Sequence, residues 1–221
     1  MKIKRLLSAT LAVIGLGLVG YTLLPIFIFD AGTTIAQDYI SPLPEDDSYF
    51  EPDDESVEID YTKASNWFDG DLHDFDQAST IKYYSLSVPS LRIQDATVTI
   101  GGEDLNDSLI QYPGTALPGK VGNAVVFGHS ILPQYYNPEN YLSIFSLLPT
   151  IDKGEEITVR YDGISYTYVV EDKFEVKPTD IEILAQNKSD SYITLVTCTP
   201  PGHPLRPKRL IVRARLVPYN S

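Results

Sequence analysis

"TLVTCTP", residues 194–200, is the stretch on which the reading of this chain turns. A β-branched run ends in the only cysteine among 221 residues, Cys198, and prolines follow at 200, 201, 204 and 207. A second run, "RLIVRARLV", begins at Arg209. β-Branched runs bounded by proline read as strands. A strand over 192–197 and another over 209–217 then pair as an antiparallel hairpin, and residues at the two mouths of a hairpin loop face each other whatever its length. Cys198 and Arg209 are therefore expected to be neighbours, at the edge of a loop that its prolines stiffen.

Working outward, the other strand signals lie at 81–88, 96–100, 123–128, 156–161 and 164–176, with Asp162-Gly163 as a hairpin turn between the last two. Short helical patterns lie at 141–148 and 179–185. Seven to eight strands with one or two short helices predict an all-β fold, a closed and mostly antiparallel barrel, since closure removes exposed sheet edges. No internal repeat is visible.

Ahead of the barrel the composition changes twice. Lys2, Lys4 and Arg5 precede an uncharged stretch over 6–29, longer than the ~20 residues that span a bilayer and than the ~7–15-residue apolar core of a cleavable signal peptide. It reads as a retained anchor over 1–29, with the basic end cytoplasmic and the remainder outside the membrane. From Asp30 to Asp76 fifteen acidic residues stand against one lysine, Lys63, interrupted by Pro42, Pro44 and Pro52. Such a segment buries too little apolar surface to offset its ordering entropy, and 30–79 reads as a solvated acidic stalk. The folded domain is assigned to 80–221, long enough to hold a core without disulfides. The chain's net charge of −13 and lack of a basic patch argue against a nucleic-acid partner.

A lone cysteine in an oxidising exterior is an intermolecular link or a reactive thiol. As a small buried hydrophobe it would be inert. Reaction requires the thiolate, hence a nearby cation or base, and Arg209 supplies charge without accepting a proton. The proton partner must come from His73, in the acidic segment, His203, in the proline-rich loop, or His129. His129 closes the strand "NAVVFGHS", where Gly128 permits close backbone approach and Ser130 starts a turn.

With "FGHS" at His129, "TLVTC" at Cys198 and "KRLIV" at Arg209, the chain resembles the sortase family of cysteine transpeptidases. The stretches "LSVPSLRIQDATV" and "PGTALPGKVGN", the order cysteine before arginine, and the N-terminal anchor belong to the same likeness. The resemblance implies that Cys198 attacks the carbonyl between Thr and Gly of an LPxTG-like sorting signal, giving a thioacyl enzyme that an amine resolves, with the acceptor a cell-wall precursor or a pilin lysine. His129 would be the general acid and base and Arg209 the anion holder. Thr197, Thr199 and Pro200 would contact substrate or orient the cysteine, and 178–185 and 199–208 would wall the groove. No cofactor and no metal are implied. Subclass stays open: "TCTP" resembles pilin-polymerising members. Asn66-Trp67-Phe68-Asp69 is a candidate aromatic lid lacking the family's Asp-Pro-aromatic pattern, and Glu171, Asp172 and Glu175 match calcium-binding relatives in charge only. The competing readings are a cysteine hydrolase and a non-catalytic binding barrel. Peptidoglycan L,D-transpeptidases are disfavoured for want of their histidine-glycine-cysteine cluster.

Overall fold

Short runs of Val, Ile, Thr and Tyr, punctuated by glycine and proline, fold here into paired strands because each run offers one or both faces to a neighbour. The structure, a computed structural model, describes residues 12–20, 60, 62–67, 81–186 and 189–218. The chain divides into two units, Met1–Leu43 and Pro44–Ser221. In the first, residues 12–20 are helical and exposed. Most of the predicted 6–29 span lies outside the described residues, among which no helix is long and apolar enough to cross a membrane.

The second unit contains β1 (Tyr83–Val88), β2 (Ile93–Ile100), β3 (Leu109–Gln111), β4 (Gly122–Phe127), β5 (Glu156–Tyr161), β6 (Ile164–Val176), β7 (Ser191–Thr199) and β8 (Lys208–Leu216). They close into a barrel in the order β1-β2-β3-β4-β7-β8-β6-β5. Asp162 and Gly163 both take positive φ, 51° and 74°, as a two-residue turn between β5 and β6 requires. Six of the eight neighbour pairs are antiparallel; β2 with β3 and β4 with β7 are parallel. All six residues of β4 are buried, which is how a strand with a parallel partner and both faces covered reads.

Four details depart from expectation. β3 is only three residues long, too short for a periodic signal. β2 starts at Ile93, three residues before the predicted boundary: Val88 pairs with Ile93 across an irregularity in the ladder, where Asp95 takes φ 47° and donates its N–H to Ser87 Oγ at 2.8 Å. The predicted helix over 141–148 is a chain of tight turns: Ser143, Ser146 and Leu148 donate to the carbonyls of Asn140, Ser143 and Phe145, each three residues back. The tight turns run on through Pro149 as a 3-10 turn at Leu148–Thr150. The pattern at 179–185 becomes a 3-10 turn at Ile181–Leu184.

The barrel sheet divides its side chains between two apolar clusters. Ala124, Val126, Ile193, Leu195, Leu210 and Val212 join the larger one. Their sequence neighbours Val125, Phe127, Val196, Cys198 and Ile211 join the other, with Ala64, Trp67, Leu105, Ile110 and Ile183. Successive strand residues point to opposite faces, so the second cluster lies on the outer face of β4, β7 and β8. The expectation of a solvated stalk needs correction there. Ala64 and Trp67 are buried, because Lys63 forms a β-bridge with Asp104 and Leu105 donates to the Thr62 carbonyl at 2.9 Å. The remainder of 30–79, apart from residue 60, lies outside the described residues.

Gly128 sits where the larger cluster crowds the end of β4. A Cβ there would lie 2.5 Å from Phe145 Cδ2 and 2.6 Å from Leu109 Cδ2. Overpacking of this kind costs ~1–3 kcal/mol. Gly128→Ala should lower the unfolding free energy in urea by that amount with an unchanged slope, and a midpoint equal to wild type would contradict this packing.

Candidate functional site

Strand register brings the three residues together. β4 and β7 run parallel with Phe127 beside Val196, and the pairing continues one step further as Gly128 N donates to the Val196 carbonyl at 3.1 Å. Two hydroxyls then lace the strand ends: Thr197 Oγ1 donates to the Gly128 carbonyl at 2.8 Å, and Ser130 Oγ donates to the Cys198 carbonyl at 2.7 Å. On the other side, Cys198 is the register partner of Arg209 across the antiparallel pair. Cross-strand partners share a face, so the sulfur and the guanidinium leave the sheet on its outer side. Sequence reasoning placed them at a barrel mouth; they lie on the outer face at the strand ends.

That face is covered. Trp67 is fully buried, while Cys198, His129 and Arg209 are 4%, 7% and 1% exposed. The Trp67 ring lies 5.8 Å from the His129 ring and 5.5 Å from Phe127, and the Arg209 guanidinium stands 5.4 Å above the indole, within cation–π range. Arg209 Nε donates to the Trp67 carbonyl at 3.2 Å. Its NH1 donates to the carbonyls of Arg206 and Lys208 at 3.0 and 3.3 Å. Of the candidate lid 66–69, Asn66 and Trp67 are described; Phe68 and Asp69 lie outside the described residues.

Burial also sets the protonation of the site. His129 is pushed down from 6.5 to about 4, first by burial and then by the Arg206 charge, with Asp104 and Asp60 opposing. Its Nε2 is buried without a hydrogen-bond partner among the described residues. Burial raises the Cys198 thiol, against the pull of Arg209 and Arg206. With Trp67 in place, the pair therefore rests as neutral imidazole and neutral thiol.

The other residues singled out in the sequence are placed as follows. Thr197 and Thr199 are buried; Thr199 Oγ1 donates to Glu175 Oε1 at 3.1 Å, and Pro200 follows through a cis peptide bond. His203 lines a cavity that reaches Cys198. His73 lies outside the described residues. Glu171, Asp172 and Glu175 pair with Arg215, Lys153 and Lys208, and no group of potential metal ligands occurs among the described residues. Sequence reasoning missed two residues. Ser130 was seen as a turn former, and its tie to Cys198 is visible only once β4 and β7 are known to be parallel. Arg206 sits among prolines with no periodic signal.

The Sortase domain family model matches residues 86–217. Among solved structures, the fold is similar to a lid mutant of sortase A from Corynebacterium diphtheriae, at 28% identity, covering 64% of this chain and 73% of that one with a TM-score of 0.53. It is also similar to the pilus-related sortase C of Group B Streptococcus, at 27% identity, 64% and 70% coverage and a TM-score of 0.54. Sortase C-1 from Actinomyces oris matches at 27% identity, 63% and 76% coverage and a TM-score of 0.53. No curated protein matches the chain.

The lowered His129 value has a measurable consequence. A group neutral when covered and ordinary when wet binds a proton on uncovering between pH 6.5 and about 4, so acid favours the uncovered form across that window. Trp67 is the only tryptophan. Quenching of its fluorescence by acrylamide should rise as pH falls from about 6.5 to about 4 in wild type and stay level in His129→Gln. A level wild-type profile would contradict the coupling of imidazole and indole.

Proposed function

This chain belongs to the sortase family of cysteine transpeptidases, and on that premise we propose that Cys198, His129 and Arg209 carry the reaction on an LPxTG-like sorting signal. The observation that carries the assignment is the register: the cysteine has the arginine as its direct partner on one side and is tied by Ser130 and Thr197 to the segment holding the histidine on the other. Rigid strands hold the three groups, as catalysis by a positioned nucleophile demands.

In this reading the sorting peptide takes the place of Trp67. Water and substrate then relieve the burial that is the first cause of both shifts, so His129 rises, Cys198 falls, and thiolate beside imidazolium becomes accessible. The thiolate attacks the Thr carbonyl carbon. Arg209 donates to the oxyanion in place of the Trp67 carbonyl it holds at rest, an electrostatic contribution available without reorganisation. Collapse breaks the C–N bond to Gly, and imidazolium supplies the proton to the departing amine. A second amine attacks the thioester, loses its proton to imidazole and returns the thiolate. Thr197 orients the cysteine strand, and Thr199 and Pro200 edge the groove. The 62–67 segment acts as a cover over the resting site, and a lid mutant of the C. diphtheriae sortase A is among the similar structures.

The wider organisation belongs to the same proposal: an anchor over 1–29, an acidic connector over 30–79 apart from its docked piece, and a catalytic barrel over 80–221 acting outside the membrane. The products would be surface proteins joined to cell-wall precursors, or pilins joined to one another.

A peptide-transfer assay with added amine tests this. Cys198→Ala should abolish both cleavage and transfer. Arg209→Lys should lower kcat/KM by about 10²-fold, the scale for one oxyanion donor, since a point charge does not replace a planar fork, and should lower the thermal midpoint as well, because the carbonyls of Trp67, Arg206 and Lys208 lose buried donors. Retained turnover in Cys198→Ala would overturn the reading. Cleavage that never diverts to amine would replace it by a hydrolase.

A further inference from the structure

Cys198 stands between two threonines that leave β7 on its other face. Leu195 and Leu210 belong to the larger cluster, and with side chains alternating along a strand, Thr197, Thr199 and Lys208 share their face, opposite to Cys198 and Arg209. The Thr197 hydroxyl runs to the Gly128 carbonyl at the end of β4. The Thr199 hydroxyl runs the other way. It donates to Glu175 Oε1 at 3.1 Å, on β6, which β8 separates from β7. The second carboxylate oxygen, Glu175 Oε2, takes Lys208 Nζ at 2.9 Å.

These contacts fall on a rung that lacks other support from β6. Thr199 and Lys208 are the last register partners of the β7–β8 ladder, one step beyond Cys198 and Arg209. The pairing of β6 with β8 stops at Val176, opposite Arg209. Glu175, opposite Leu210, reaches along the face with its side chain and closes the final rung from the third strand. Local opening starts where contacts are few, as at ladder ends, and this end adjoins the rung that carries the sulfur and the guanidinium. The two arms of the carboxylate differ in weight. The Lys208 side chain is 54% exposed, and a solvated ion pair contributes little, whereas Thr199 is buried and its bond to a carboxylate is charge-assisted. In the covered form Trp67 steadies the same rung, because Arg209 donates to its carbonyl. When a peptide takes the place of Trp67, that contact is lost and the tie from Glu175 stays.

We propose that Glu175 is a positioning residue of the transpeptidase: through Thr199 it holds the Cys198–Arg209 rung closed while Trp67 is displaced, so that sulfur and guanidinium keep the separation that acyl transfer needs. The proposal rests on the transpeptidase reading above and adds to it a residue that touches neither the peptide nor the sulfur. It also gives the Thr199 hydroxyl a partner in the barrel rather than in the groove. Loosening the rung costs rate and not affinity, since a ~1 Å misplacement of reacting groups costs ~10²-fold while the remaining contacts of the peptide are unchanged.

The test uses the full chain in detergent and an LPxTG-like peptide without added amine. Rapid quenching and mass spectrometry follow the thioacyl adduct on Cys198 over a range of peptide concentrations. Its amplitude counts competent molecules, and its rate constant gives a maximal value and a half-saturating concentration. Glu175→Ala should lower the maximal rate constant by roughly tenfold or more, with half-saturation within about twofold of wild type. Thr199→Val, which keeps the shape and removes the hydroxyl, should show the same loss. Glu175→Ala made on top of Thr199→Val should add almost nothing, as for two residues acting through one bond. Glu175→Gln, whose amide oxygen still accepts from Thr199, should recover most of the rate. A wild-type maximal rate constant in Glu175→Ala, with only the amplitude or the thermal midpoint reduced, would make Glu175 a structural residue and overturn the proposal. Losses that add in the double variant, or a Glu175→Gln enzyme as slow as Glu175→Ala, would overturn it too. Failure of wild type to form any adduct would overturn the transpeptidase reading and the proposal with it.

Discussion

The site depends on one constraint, the parallel pairing of β4 with β7 in a register that continues past the end of β4. A shift by one residue would turn every side chain to the opposite face. Cys198 would then enter the larger cluster with Leu195 and Leu210, and Thr197 would face Trp67. The two hydroxyl ties, Thr197 to the Gly128 carbonyl and Ser130 to the Cys198 carbonyl, fall at the point where ladder hydrogen bonds stop. They replace them with side-chain bonds that only this register satisfies. Gly128 allows the strands to remain this close, because Phe145 and Leu109 already occupy the space a Cβ would need.

Packing and electrostatics on the covered face work against each other. A buried guanidinium is expensive unless its donors are used, and Arg209 spends them on the carbonyls of Trp67, Arg206 and Lys208. The indole contributes apolar burial and ring contacts to Arg209, His129 and Phe127 together. The same cover withholds water from Cys198 and His129, which keeps both neutral. Stability of the resting face and readiness for chemistry are thus set by one side chain, and a ligand that binds only the uncovered form shifts the balance by mass action.

How much of this was legible in the sequence varied with the range of the interaction. The closed β fold and the adjacency of Cys198 and Arg209 followed from local signals, since a hairpin's mouth residues pair whatever the loop contains. The hairpin at Asp162-Gly163 was equally local. The parallel partners of β3 and β4 were not legible, because a fully buried strand shows no alternation that names its neighbours and β3 is shorter than any period. His129 was singled out by motif and placed only by that parallel pairing. Trp67 lay in a segment whose acidity spoke for solvation. Its docking comes from backbone bonds to residues 103–105, which side-chain composition does not advertise. Tight i→i−3 turns replaced the helix at 141–148 for a similar reason: apolar spacing does not separate the two.

The central claim is that a sorting peptide displaces Trp67 to reach a cysteine held between histidine and arginine. The most direct measurement combines labelling and fluorescence on one sample, using a sorting-signal analogue that carries a thiol-reactive group at the scissile bond. The account predicts a covalent adduct mapped to Cys198, formed faster than with a scrambled peptide, together with a shift of the single tryptophan's emission toward that of a water-exposed indole. An adduct that forms no faster than with the scrambled peptide, or that leaves the emission of Trp67 unchanged, would contradict it.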